Sequence, residues 1–216
     1  MTMTTADRIP QEHRATGPTP AQVRRGRRTA YLLFALGFGP MILATVMYYT
    51  GWLNPAGHTN NGRLIQPAVP VSSLHLQTDS GEPLSKRFGP TVAEPQWLLI
   101  VVADQCGPDC QSLLYRTRQV NIALGKNANR VSRAAALGSI PPALADNWNA
   151  EYRLMERLSP AEGATPQWPD GVNPSRAPGI LLVDPFGNLM MHYDIGNTGK
   201  GMLEDLKHLL KLSKIG

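Results

Sequence analysis

Cys106 and Cys110 are the only cysteines in 216 residues, and they stand four positions apart in Cys106-Gly107-Pro108-Asp109-Cys110. An apolar run, residues 97–103, stops at Asp104-Gln105 just before them. Leu113, Leu114, Arg118, Val120, Ile122 and Leu124 follow at helical spacing. A strand, a cysteine loop and a helix in that order bring a thiol to the positive end of a helix dipole, which favours a thiolate. Cys106 then sits ahead of the helix and Cys110 one turn inside it, so the first is the expected nucleophile and the second the resolving thiol. Asp109 adds a negative charge that opposes part of this effect. A structural staple is the competing use of the pair. Closing a loop of about five residues removes only about 2 kcal/mol of unfolded-state entropy, against ~4.7 for 100 residues, so a staple would serve better between distant segments. Asp104 reads either as a solvated strand end or as a proton carrier beside the thiols.

Other chemistries lack their residues. There is no HExxH, no P-loop, no GxGxxG and no Ser/His/Asp set at a recognisable spacing. The formal charge of +5 does not describe a nucleic-acid surface. Six arginines in residues 1–30 face Asp7 and Glu12, a net of +4 that leaves about +1 for the remaining 186 residues.

The elements that must position the thiols read as follows. Residues 1–28 are expected to form a disordered cytoplasmic tail, polar until Arg24-Arg25-Gly26-Arg27-Arg28. Residues 29–53 are a transmembrane anchor. The apolar core, 31–49, would span roughly 28 Å as a helix, close to the ~30 Å of a bilayer interior. Tyr31 at one end and Tyr48, Tyr49 and Trp52 at the other suit the interfaces, and the arginines keep the N-terminus inside. A cleaved signal peptide would have a shorter apolar region. Residues 54–72, broken by Pro and Asn-Gly, read as a linker. Residues 73–216 form the last domain. Strands are expected at 74–78, 97–103, 131–137, 180–184 and 189–193, and helices at 108–124, 143–158 and 201–212. Residues 80–96 and 159–179 are expected to be loops, and Pro185-Phe186-Gly187-Asn188 a hairpin turn. A sheet with helices on both faces satisfies that order, with the cysteines at the carboxyl end of a central strand. The fold class is α/β, a sheet with flanking helices behind one N-terminal transmembrane helix.

With the cysteine loop after an apolar strand and Ile180-Leu181-Leu182-Val183-Asp184-Pro185-Phe186-Gly187-Asn188 downstream, residues 70–214 resemble the thioredoxin-like superfamily. The CxxxC spacing is similar to that of the Sco/SenC proteins, membrane-tethered factors for cytochrome c oxidase assembly. Residues 1–30 do not read as a mitochondrial transit peptide, so a bacterial inner-membrane protein is expected, with the arginines placing its C-terminal domain in the periplasm. The resemblance implies as partner a cytochrome c oxidase subunit or another copper or thiol assembly factor, besides membrane lipid around the anchor. It also implies Cu(I), which soft thiolates select, held by Cys106, Cys110 and a histidine. Here Arg176 stands at the position of that histidine, and Gln111 follows Cys110 where the family has proline. His192, Met190 and Met191 are the remaining candidates for a third ligand. Strand alternation puts Met190 and His192 on one face and Met191 and Tyr193 on the other. His75, His58, His208 and His13 read as unrelated to the site. Pro178 matches the position of the thioredoxin cis-proline that faces the cysteines and shapes the partner groove. Three functions stay open: thiol redox in oxidase assembly with Cys106, Cys110 and Pro178, a Cu(I) delivery module, and a scaffold without chemistry.

Overall fold

The computed structural model describes residues 19–50 and 60–213. The expected disorder of residues 1–18, the linker segment 54–59, Trp52, His13 and His58 fall outside them. The chain divides into two units, residues 1–57 and 58–216.

Among the described residues the first unit is a single helix, α1 (Pro20–Thr50), which takes in the arginine block as well as the apolar run. Its length and composition suffice to cross a membrane, and none of its residues is buried against protein. Gly37, Gly39 and Pro40 lie within it, as a membrane helix tolerates.

The second unit is built on a seven-stranded sheet: β1 (Arg63–Pro70), β2 (Leu76–Thr78), β3 (Trp97–Gln105), β4 (Val131–Ser139), β5 (Met155–Pro160), β6 (Gly179–Val183) and β7 (Asn188–Tyr193). The order across the sheet is β1-β7-β6-β3-β4-β5-β2. β3 is central, parallel to β4 and antiparallel to β6. That position explains why residues 97–103 are apolar without alternation: both faces are covered. The helices are α2 (Pro108–Ala123), α3 (Pro142–Glu151) and α4 (Gly199–Leu212). β3-α2-β4 and β4-α3-β5 are parallel crossovers that advance the same way along the sheet, which puts both helices on one face. α2, α3 and α4 accordingly share one core with Leu99, Val101, Ala135, Ile180 and Met191. The opposite face, carrying Leu98, Ile100, Val102 and Leu181, is closed by the 3-10 turns Val71–Leu74 and Leu84–Arg87 and by Phe88, Trp168 and Val172. The flanking helices are therefore present but one-sided, where helices on both faces were expected.

Two strands fall where none was expected. β1 (Arg63–Pro70) lies inside the supposed linker, residues 54–72. Its prolines are tolerated because it is an edge strand, and its register against β7 shifts between Leu64 and Val69. β5 takes the end of the supposed second helix: α3 stops at Glu151, and Met155–Pro160 pairs with β4 and β2. The hairpin at 184–188 forms as expected. Asp184 Oδ1 accepts from the backbone N–H groups of Phe186 (2.9 Å) and Asn188 (2.8 Å), and Gly187 supplies a φ of 89°.

Candidate thiol site

The cysteine loop is the two-residue passage from β3 to α2. Gly107 is the extended N-cap and Pro108 the first helical residue, where its missing N–H leaves nothing unpaired. The Gly107 carbonyl accepts from Gln111 N–H (3.0 Å), and the Cys106 N–H donates to the carbonyl of Ser139 at the end of β4 (3.1 Å). Cys106 and Cys110 are joined in a disulfide with their Cα atoms 5.0 Å apart. Both are buried, at 2% and 0% exposure, in the core that also holds Ala103, Leu113 and Leu114. Asp104 and Asp109 are exposed on either side. The strand ends approach closely here: a methyl group on Gly138 would lie 2.6 Å from the Asp104 carbonyl oxygen. The Asp104 N–H in turn donates to the Pro174 carbonyl (3.1 Å), which ties the loop before β6 to this end of β3.

That loop brings Pro178 to the same end of the sheet. Gly179 pairs with Val102, so the register extended by one residue sets half-buried Pro178 opposite Ala103, on the face that holds the cysteines. The cis geometry expected of it is not found. The cis peptide among the described residues is Gln66–Pro67, and Ala177–Pro178 is trans. Pro178 follows a tight turn in which the N–H groups of Arg176 and Ala177 both donate to Asn173 O (3.0 Å each). Arg176 is exposed.

His192 is not brought to the cysteines. It pairs with Arg63 on β1 and Leu181 on β6, and Leu181 belongs to the opposite core. A methyl group on Gly179 would lie 2.4 Å from His192 Nε2. The ring thus lies over the far face of β6, beside a polar cavity of about 440 Å³ lined by Asn61, Arg63, Gln66 and Asp194 among others. Burial first, and then the Arg63 charge, lower its pKa from the usual histidine value, with Asp194 opposing them. The sheet separates this imidazole from the sulfurs, which corrects the ligand set Cys106, Cys110, His192. The two methionines also depart from simple alternation. The register of β6 on β7 shifts at Met190, which turns Met190 to the cysteine-bearing core together with Met191. Among the described residues, no three His, Cys, Asp or Glu side chains are grouped to hold a metal ion. The two cysteine sulfurs share their core with the thioethers of Met190 and Met191 and, among the described residues, with no imidazole, so a two-sulfur, one-imidazole copper site does not fit.

One polar cluster was not anticipated. Asp205 of α4 is 5% exposed and accepts from the N–H groups of Asn61 (2.9 and 3.0 Å) and Gly62 (2.9 Å), from Asn61 Nδ2 (3.0 Å) and from the Tyr193 hydroxyl (3.2 Å). It clasps the chain just before β1. An acid between Met202 and Leu206, inside an apolar helix face, was the sequence signal for it.

A strand-end cysteine loop capped by a helix, with a β-hairpin returning beside it, defines a thioredoxin-like domain. Residues 97–213 match the family model of the transmembrane-like, thioredoxin-like C-terminal domain, and residues 20–51 that of the transmembrane-like N-terminal domain. The chain belongs to this transmembrane-like, thioredoxin-like family. No curated protein matches it. Among solved structures, apo Sco1 from Thermus thermophilus is similar at 19% identity and a TM-score of 0.50, covering 72% of this chain and 99% of that one. Copper-bound ScoI from Bradyrhizobium japonicum is also 19% identical, with a TM-score of 0.42 over 68% and 98% of the two chains. A thiol-disulfide oxidoreductase from Bacteroides fragilis is 17% identical, with a TM-score of 0.42 over 68% and 99%. At 19% identity the likeness to the Thermus thermophilus protein is one of fold alone.

Proposed function

We propose that this protein is a membrane-tethered thiol–disulfide redox protein that acts on the cysteines of a partner during assembly of a copper-containing cytochrome c oxidase. The observation that carries the reading is the Cys106–Cys110 disulfide itself, formed between a strand end and the first turn of α2. In the reducing direction the Cys106 thiolate attacks a partner disulfide and releases one partner thiolate. Cys110 then attacks Cys106 Sγ, closes the intramolecular disulfide and releases the second. Two electrons pass to the partner, and the protons of the two thiols leave with them. The reverse sequence oxidises a partner dithiol. Pro178 borders the approach to this end of the sheet. The arginines 24, 25, 27 and 28 favour a cytoplasmic N-terminus and a periplasmic thiol domain in a bacterial inner membrane. The partner is an oxidase subunit or another thiol or copper assembly factor.

The midpoint potential of the full chain in detergent tests the reading. A value within about −120 to −270 mV, the span of exchange catalysts, is expected; one far below about −300 mV would leave a structural staple. Cys106→Ser should stop oxidase assembly in cells, and intact assembly would leave only the scaffold reading. A second reading has one observation in its favour: reduction frees two soft donors on Cα atoms 5.0 Å apart, a pair that suits Cu(I). If the reduced chain keeps one Cu(I) through a chelator challenge and Cys106→Ser does not, copper delivery replaces the purely redox role.

A further inference from the structure

Asn61-Gly62 is the single Asn-Gly step in the chain. A glycine after asparagine leaves the next backbone nitrogen unshielded and gives the chain freedom to fold back. That nitrogen can then attack the carbonyl carbon of the asparagine side chain. The packing here demands this labile pair. A methyl group on Gly62 would run into the Tyr193 ring, so no side chain can be placed there to block the attack. Asn61 in turn is fitted against α4: a methyl group on Gly201 would lie 2.8 Å from both its Cβ and its Cγ.

The fold holds every group that the reaction needs. The buried Gly62 N–H donates to Asp205 Oδ2 (2.9 Å), and at the other end of the same peptide bond the Asn61 carbonyl accepts from Asn197 Nδ2 (2.7 Å). Asn61 Nδ2 donates to Asp205 Oδ1 (3.0 Å) and to the Gly201 carbonyl (3.3 Å). The Asn61 N–H donates to both Asp205 oxygens (2.9 and 3.0 Å). To act as nucleophile, the Gly62 nitrogen must lose its proton. Burial and the like charge of Asp205 both oppose an anion at that place, and a carboxylate is too weak a base to remove an amide proton itself. To be attacked, the Asn61 amide must leave both of its acceptors. Asn61 is exposed, so water reaches it once it is free.

We propose that Asn61 is a spontaneous deamidation site that Asp205 keeps closed, and that reaction during an opening of this clasp makes the opening permanent. The Gly62 nitrogen, its proton passed to solvent base, bonds to the Asn61 side-chain carbonyl carbon. The bond from that carbon to Nδ2 breaks, and ammonia leaves with a proton from water. One water then opens the five-membered imide at either carbonyl, to aspartate or isoaspartate. Water enters, ammonia leaves, and nothing is oxidised or reduced. Aspartate at position 61 puts a second carboxylate where Nδ2 stood 3.0 Å from Asp205 Oδ1. Isoaspartate lengthens the backbone by one carbon just ahead of β1. Neither product can remake the clasp, so the segment before β1 stays released. The site stands independently of the redox reading.

The test incubates the full chain in detergent at pH 8 and follows Asn61 by peptide mass mapping, with the same chain unfolded in urea as reference. Deamidation at Asn61 should be at least about tenfold slower in the folded chain, as one hydrogen bond to a charged group already implies. Equal rates overturn the gating. Asp205→Ala should raise the rate in the folded chain at least about tenfold. If that variant does not fold, Gly201→Ala displaces Asn61 by its methyl group and should raise the rate in the same way. An unchanged rate in the variant that folds overturns the proposal. The permanence is read separately. Asn61→Asp should lower the urea midpoint further than Asn61→Ala, and a midpoint at or above that of Asn61→Ala overturns it.

Discussion

Replacing Asp205 tests how the thiol domain holds the segment that leads to the anchor. The carboxylate takes hydrogen bonds from two consecutive backbone N–H groups, at Asn61 and Gly62, from Asn61 Nδ2 and from the Tyr193 hydroxyl. The Gly62 and Tyr193 donors are buried. A donor left buried without a partner costs ~1–3 kcal/mol, and bonds to a charged acceptor lie at the upper end of the range. Asp205→Ala orphans the Gly62 donor, leaves the Tyr193 hydroxyl only the weak Met191 Sδ acceptor (3.5 Å) and loosens the two donors on Asn61, so the loss should be about 3–5 kcal/mol, a large part of the ~5–15 kcal/mol that holds a domain together. Asp205→Asn keeps the volume but turns one acceptor into a donor that faces donors, and about 2–3 kcal/mol is expected. Asn61→Ala removes side-chain bonds only and should cost ~1 kcal/mol or less. The assay is equilibrium urea unfolding of the full chain in detergent, followed by the fluorescence of Trp97, Trp148 and Trp168. With a slope of about 2 kcal/mol per molar urea, Asp205→Ala should lower the midpoint by roughly 1.5–2.5 M. A shift below about 0.3 M, or one equal to that of Asn61→Ala, would refute the argument that this carboxylate organises the segment.

Four further outcomes follow from the same geometry. Burial, then the Asp205 charge and hydrogen bond, raise the Tyr193 pKa well above the usual phenol value. Its stabilising share is complete below the unfolded value near 10 and is lost as pH rises beyond it, so the urea midpoint should fall between pH 9 and 11, and less so in Tyr193→Phe. His192 is shifted the other way. Its share is present above the unfolded value of about 6.5 and is lost as pH falls towards the depressed folded value; urea midpoints from pH 7.5 to 5 should drop, with a smaller drop in His192→Gln. Gly138→Ala places a methyl 2.6 Å from the Asp104 carbonyl, which forces the strand ends apart. It should cost ~1–3 kcal/mol and speed reduction of the disulfide by dithiothreitol, and unchanged stability would contradict the close approach. After reduction, iodoacetamide should label Cys106 before Cys110 in peptide mass mapping, and the opposite order would reverse the assignment of their roles.

What the sequence made legible depended on whether a segment answers to one local rule. β3, α2, α4 and the β6–β7 hairpin do: an unbroken apolar run, a cysteine loop with Pro108 at the helix start, an amphipathic repeat and a Pro-Phe-Gly-Asn turn each determine their own element. β1 does not. Pro67 and Pro70 read as breakers, and only its place at the sheet edge makes them acceptable. β5 was hidden because Leu154, Met155 and Leu158 also fit a continued helix, and pairing with β4 overrides that spacing. The site split along the same line. The cysteine pair was visible from residue type and spacing. The side of the sheet on which His192 and Met190 fall was not, because a single irregularity in β7 resets the alternation.

The burial of both cysteines bears on which sulfur does what. While the bond is intact the two sulfurs fit a close-packed core. Once it breaks they must separate to van der Waals contact, and one of them has to leave its place. Cys110 is fixed within α2 between the helix start and Leu113, so its displacement would deform the helix. Cys106 lies outside the helix, and its backbone is held by its N–H donated to Ser139 (3.1 Å) and its carbonyl accepting from Gln111 Nε2 (3.5 Å), each worth about 1 kcal/mol or less. Next to it, nothing lies within 4 Å of where a Gly107 side chain would begin, so the loop borders open space. On the redox function proposed above, reduction is expected to move Cys106 outward, to the positive end of the α2 dipole, where a thiolate is favoured. Cys110 stays behind it, in the position from which it can close the bond again. The division into attacking and resolving thiol proposed for this pair would then rest on how each residue is attached to the fold, and a CxxxC spacing alone does not supply it.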